Sequence, residues 1–200
     1  NKATREDAGA LARHLADELG SRPDIVYIDP PYNQHPYGSN YHVLNTVVLW
    51  DKPPLNASIQ VNGRKHDKSA IRKDWRTERR SAYNSKSDAL PAFRRLLSTV
   101  DARWLLVSYS TDGNMPLRGL LSALLERGSV SVLVQKYKRY RVSTPRMSPK
   151  SHNVEFVAVV DTEEHGLSTR LDELENQILN HEALVLGADR ATGHDQLVLL

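Results

Sequence analysis

The 200-residue chain contains no cysteine, which excludes a disulfide framework and any thiolate-held metal. Its eight histidines are scattered without ligand-like spacing, so no metal site is expected. Long apolar runs are lacking too. No stretch approaches the roughly 20 residues that span a bilayer, and the N-terminus has no signal-peptide core. The expectation is a cytoplasmic protein with no membrane partner. No internal repeat or low-complexity tract interrupts the chain. With 40% hydrophobic and 26% charged residues, its length suits one folded domain with a sizeable core.

The charge balance is mildly basic, +3 overall with a pI near 9.1, but its placement says more. Between Asn62 and Asn84 stand Arg64, Lys65, Lys68, Arg72, Lys73, Arg76, Arg79 and Arg80 against only Asp67, Asp74 and Glu78. A second cluster comprises Lys136, Lys138, Arg139, Arg141, Arg146 and Lys150. Two such stretches suit a polyanion such as nucleic acid; on charge alone a solvated loop surface explains them equally well.

Apolar residues at Ala8, Leu11, Ala12, Leu15 and Leu19 predict an amphipathic helix from Arg5, stopped by Gly20. Ile25-Val26-Tyr27-Ile28 reads as a buried strand of a parallel sheet, ending at Asp29. A helix follows over Tyr41 to Trp50, capped by Ser39 or Asn40 and ended by Pro53-Pro54, with Trp50 expected in the core. The basic segment 62–84 is predicted as a long exposed loop. Next come a helix from Ser87 or Asp88 to Thr99, a strand from Trp104 to Tyr109, and a helix over Pro116 to Arg127. Strands at Val130 to Gln135 and Val154 to Val160 follow, and then a helix from Ser168 to about Leu186 that either packs on the domain or pairs with another helix. This alternation predicts an α/β fold whose last two strands form a hairpin.

The sharpest feature is Asp29-Pro30-Pro31-Tyr32 at the carboxyl end of the first strand, where open α/β sheets bind ligands. Consecutive prolines cannot continue sheet pairing, so the Asp29 and Pro30 carbonyls are left to form a rigid rim of acceptors. Such a rim suits an exocyclic amine: its two hydrogens are held, and a carboxylate stabilises positive charge growing on the nitrogen. Tyr32 adds an aromatic face on which an extracted base would stack.

The tetrapeptide, the hydrophobic strand before it and Asn33 after it resemble the N6-adenine DNA methyltransferases, closest to the Dam-like group. The resemblance implies a Rossmann-like S-adenosylmethionine-dependent methyltransferase sheet, mostly parallel with a C-terminal antiparallel hairpin. It implies methyl transfer to N6 of a flipped adenine in duplex DNA, in a bacterial or archaeal restriction-modification setting, with Asp29, Pro30, Pro31 and Tyr32 catalytic. Asp7 and Ala8 match the segment that contacts the cofactor's adenine, with Asp29 and Pro30 approaching its methyl group; a helix N-terminal acid is the plain structural alternative for Asp7. Asn33, Tyr37, Ser108, Tyr109, Lys138 and Arg139 match segments beside the target base or the DNA, and Arg64, Lys65, Arg72 and Lys73 are added from the basic loop.

The chain departs from the family in one respect. The glycine-rich loop for the cofactor's methionine moiety and the acid for its ribose are not found in it. The reading is therefore a C-terminal catalytic part over residues 1–162, its N-terminal strands missing and its cofactor site completed by an upstream segment or a second chain, with a helical tail over 163–200. Methylation of RNA adenine and a noncatalytic nucleic-acid-binding or assembly role stay open as alternatives.

Overall fold

The computed structural model describes residues 3–34, 36, 38, 41–52, 60–61, 64–65, 81–138 and 152–194. Helix α1, Ala8–Leu19, starts where Asp7 accepts a hydrogen bond from the Ala10 backbone N–H at 3.0 Å, and stops at Gly20, whose φ of 76° favours glycine. Strand β1, Ile25–Ile28, follows at once. Helix α2 spans His42–Leu49; Ser39, Asn40, Pro53 and Pro54, expected to bound it, lie outside the described residues.

Regular structure reaches into the segment predicted as a loop. Gln60–Val61 (β2) pairs antiparallel with Arg64–Lys65 (β3), and a 3-10 turn, Ala82–Asn84, is held by a reciprocal capping box between Ser81 and Asn84. Helix α3, Ala89–Thr99, leads to strand β4, Trp104–Ser110, and helix α4, Leu117–Leu125, to strand β5, Ser129–Lys138. Strand β6, His152–Asp161, then precedes helix α5, Leu171–His194. Asp88 stands at the N-cap of α3 but makes no capping bond; its carboxylate accepts from the Ser87 hydroxyl instead.

The main sheet has the order β1-β4-β6-β5. β1 runs parallel to β4 from Ile25↔Trp104 to Ile28↔Val107, while β6 is antiparallel to both β4 and β5. Three strands thus point one way and β6 is reversed between two of them, which gives the expected terminal hairpin. The carboxyl ends of β1 and β4 share one end of the sheet with the finish of β5 and the start of β6.

One face of this sheet carries the core. Leu105, Val107, Phe156, Ala158, Val130 and Val132 are buried there with Phe93 and Leu97 of α3, Leu120, Leu121 and Leu124 of α4, and Leu174 and Ile178 of α5. The C-terminal helix therefore lies on the domain. Two burial expectations are corrected. β1 is an edge of the described sheet, and its alternate residues Ile25 and Tyr27 are exposed, because the described helices of the core pack on the opposite face. Trp50 is 70% exposed rather than in the core: it ends α2 at a positive φ of 50°, with the Lys52 ammonium over its ring.

Candidate target-amine site

Because β1 and β4 run parallel, the turn after β1 and the turn after β4 meet. The first supplies Asp29, Pro30, Pro31 and Tyr32; the second supplies Thr111 to Pro116 and, on its strand, Ser108 and Tyr109. Asp29 is exposed, Pro30 buried, and Pro31 and Tyr32 half-buried. A carboxylate open to solvent beside a buried proline is an acceptor on a fixed base.

Ser108 joins the parts. Its hydroxyl donates to Asp29 Oδ1 at 2.8 Å and accepts from the phenols of Tyr27 at 2.9 Å and Tyr32 at 3.2 Å. Burial raises the Tyr32 phenol well above its ordinary range, against the bond to Ser108 that lowers it, and the Asp29 charge adds to the rise. Tyr32 stays protonated and donates. Its ring meets that of Tyr109 edge-on, centroids 5.1 Å apart, and Tyr109 in turn meets Phe156 at 6.5 Å.

Tyr109, matched by the sequence to the DNA side, is 1% exposed and belongs to the core beneath Tyr32. Its hydroxyl accepts from the Met115 backbone N–H at 2.8 Å. Gly113 passes so close to this ring that any Cβ would strike it, which is why the turn needs glycine there.

The tetrapeptide is held from a second side by residues the sequence reading missed. The Asn114 backbone N–H donates to the Tyr32 carbonyl at 2.8 Å, and Asn84 Nδ2 donates to the Asn33 carbonyl at 2.8 Å. Asn114 Nδ2 donates to the Tyr83 carbonyl at 2.9 Å, tying the two clamps together. Both asparagines are buried. Their polar identity alone gave no signal in the sequence.

Asp7 caps α1, and Ala8 is its first residue. Helix α1 packs against α3, and Asp7 lies near Tyr83, whose carbonyl accepts from Asn114. After burial, the Asp7 charge helps push the Tyr83 phenol up to about 12, with Arg95 opposing. On β6, Glu155 pairs with Ser110, and its carboxyl is raised by burial and by the charge of Asp29. A second carboxyl thus stands near the first, another feature the sequence did not single out.

The remaining expected residues are placed unevenly. Asn33 is exposed immediately beyond the tetrapeptide. Lys138 ends β5 at the site end of the sheet, and Arg64 and Lys65 form β3. Tyr37, Arg72, Lys73 and Arg139 lie outside the described residues. Among the described residues, no group of three or more histidines or acids could hold a metal ion, and no helix is long and apolar enough to cross a membrane.

The carboxyl end of this mixed α/β sheet thus presents an exposed carboxylate on a proline turn beside a propped tyrosine. Comparison with known proteins is specific. Residues 13–100, which include the tetrapeptide, match the D12 class N6 adenine-specific DNA methyltransferase family. The chain is 34% identical to the type II methyltransferase M.NlaIII of Neisseria lactamica over 136 residues, 68% of this chain and 34% of that protein. It is 31% identical to M.CviAII of Paramecium bursaria Chlorella virus 1 over 126 residues, 63% of this chain and 34% of the relative. M.FokI of Planomicrobium okeanokoites is 30% identical over 159 residues, 78% of this chain and 22% of that enzyme. The resemblance read from the sequence holds: the chain is similar to N6 adenine-specific DNA methyltransferases. It spans about a third or less of the length of these relatives. No solved structure matches it at a significant level.

Proposed function

We propose that this chain carries the target-adenine half of an adenine-specific DNA methyltransferase site, serving restriction-modification. The observation that carries the reading is Asp29, exposed at the carboxyl end of β1 and fixed by Ser108, beside a tyrosine platform. S-adenosylmethionine would supply a methyl group on a sulfonium. The amine that accepts this methyl would leave a neutral thioether on the donor and would give up one proton to water.

The chain's own residues act on the amine. Asp29 and the Pro30 carbonyl accept its two N–H bonds, Pro31 holds the turn rigid, and the Asp29 charge stabilises the positive charge that builds on nitrogen. Tyr32 stacks on the extracted base, worth about 1–3 kcal/mol. That offsets much of the few kcal/mol lost on unstacking from the duplex. Asn33 lies beside the platform, and the basic residues Arg64, Lys65, Arg72, Lys73, Lys138 and Arg139 neutralise backbone phosphates.

Only part of the cofactor finds fitting chemistry in these residues. Asp7 offers an exposed carboxylate for the cofactor's adenine amine; groups for its methionine and ribose are not found among them. We therefore assign Asp7 and Ala8 one edge of that pocket and leave the rest to a further segment or chain.

The test is methyl incorporation into duplex DNA by the full-length protein. Asp29→Ala is expected to lower the rate at least about 100-fold, the usual effect of losing one preorganised charge-stabilising group, and Tyr32→Ala about 10-fold or more from lost stacking. A normal rate in Asp29→Ala would refute the reading. Incorporation into structured RNA but not duplex DNA would replace the substrate while keeping the chemistry.

A further inference from the structure

The hydroxyl of Ser108 sits where three side chains from β1 and the turn after it converge, and its bonding capacity is full. A serine hydroxyl has one proton to give and two lone pairs to fill. Here the proton goes to Asp29 Oδ1, and the lone pairs take the phenol protons of Tyr27 and Tyr32. Ser108 is also 8% exposed. A group so placed and so occupied has nothing left with which to contact DNA.

We propose that Ser108 is the positioning residue of the amine site, orienting the Asp29 carboxylate and the Tyr32 ring together, with Tyr27 as its outer support. The inference rests on the proposed function and deepens it. By holding Oδ1, the serine turns Oδ2 toward the incoming amine. Two phenols donating onto one oxygen polarise its own O–H, which strengthens the bond to the carboxylate. The same oxygen anchors the tip of Tyr32 while Tyr109 supports its ring, so that carboxylate and stacking platform hold one relative geometry.

Tyr27 makes sense only in this light. Tyr27 is 59% exposed on the edge strand of the described sheet, on the face away from the described core, where core packing does not call for an aromatic. Its register partner is Leu106, and Ser108 lies two residues further along the same face of β4. The phenol reaches along that face to the hub.

The experiment compares Ser108→Ala, Ser108→Thr and Tyr27→Phe in the full-length protein, following methylation kinetics and, separately, DNA affinity by fluorescence anisotropy without cofactor. Ser108→Ala is expected to lower kcat by about 10- to 100-fold, the scale of a misplaced reacting group, with DNA affinity within about 2-fold. Ser108→Thr keeps the hydroxyl and should recover most of the rate. Tyr27→Phe should cost a few-fold in kcat, also without weakening DNA binding. Normal kcat in Ser108→Ala, alongside an inactive Asp29→Ala, would overturn the positioning role and leave the function standing. Weakened DNA binding with normal kcat would also overturn it, by making Ser108 a DNA contact. If Asp29→Ala is active, the function itself has failed. If Ser108→Ala does not fold, Tyr27→Phe decides: its exposed ring leaves the core untouched, and an unchanged kcat would sink the proposal.

Discussion

At the scale of single residues, the site depends on two buried asparagines as much as on the tetrapeptide. Asn114 holds Tyr32 through its backbone N–H and Tyr83 through its side chain, while Asn84 holds Asn33. A buried carbonyl that loses its donor carries its full desolvation penalty, about 1–3 kcal/mol. Asn114→Ala is therefore expected to lower unfolding stability by about that amount in urea titrations. Asn114→Asp should do no better, because a carboxylate has no N–H to give. These residues were hidden from sequence reading because an asparagine clamp has no period and no motif; only the meeting of two distant turns creates it. Asp29-Pro30-Pro31-Tyr32 was legible because its chemistry is contiguous. Ser108 was legible as a site residue, but its role was not, since the bonds that define it come from Tyr27 on another strand and from Asp29 and Tyr32 in the turn after it.

Among the elements, helices announced themselves through apolar spacing and end signals, and α1 is bounded by the acid and glycine that the sequence presents. Strand existence was equally clear from β-branched runs, whereas burial was not. Ile25-Val26-Tyr27-Ile28 reads the same whether one face or two are covered, and the answer depends on neighbours in the sheet. The turn at Ala82–Asn84 escaped notice for a related reason: the arginines before it dominate the composition, and the capping box at Ser81 is local geometry. Asp7 has two candidate roles, and these separate at this scale. Asp7→Ala should destabilise α1 by about 1 kcal/mol through loss of the cap. Asp7→Ser restores the cap with a shorter, uncharged side chain. Thermal unfolding of the serine variant should match the parent within a few tenths of a kcal/mol. Its affinity for S-adenosylmethionine, measured by calorimetry on the full-length protein, should stay reduced if the carboxylate contacts the cofactor and return to normal if Asp7 is only a cap.

For the molecule as a whole, strand direction is the organising fact. With β1, β4 and β5 pointing one way, the Asp29 turn, the Asn114 turn and the last residues of β5 all reach the same end, and reversed β6 brings its first residues there too. That end therefore gathers the Asp29 turn and Lys138, and the net charge of +3 owes much to the two basic stretches of the sequence. If these stretches hold phosphates, the affinity for duplex DNA must fall as salt rises, through counterion release. Each neutralised phosphate contributes about 0.9 to the slope of log affinity against log salt. Replacing Arg64, Lys65, Arg72 and Lys73 together with alanine should then flatten that slope by up to about 4. It should also weaken specific and unrelated duplexes by the same factor, as phosphate contacts do. A drop confined to one sequence, with the slope unchanged, would instead make the segment a reader of bases. No change in either would return these side chains to the solvated surface that their composition equally allowed.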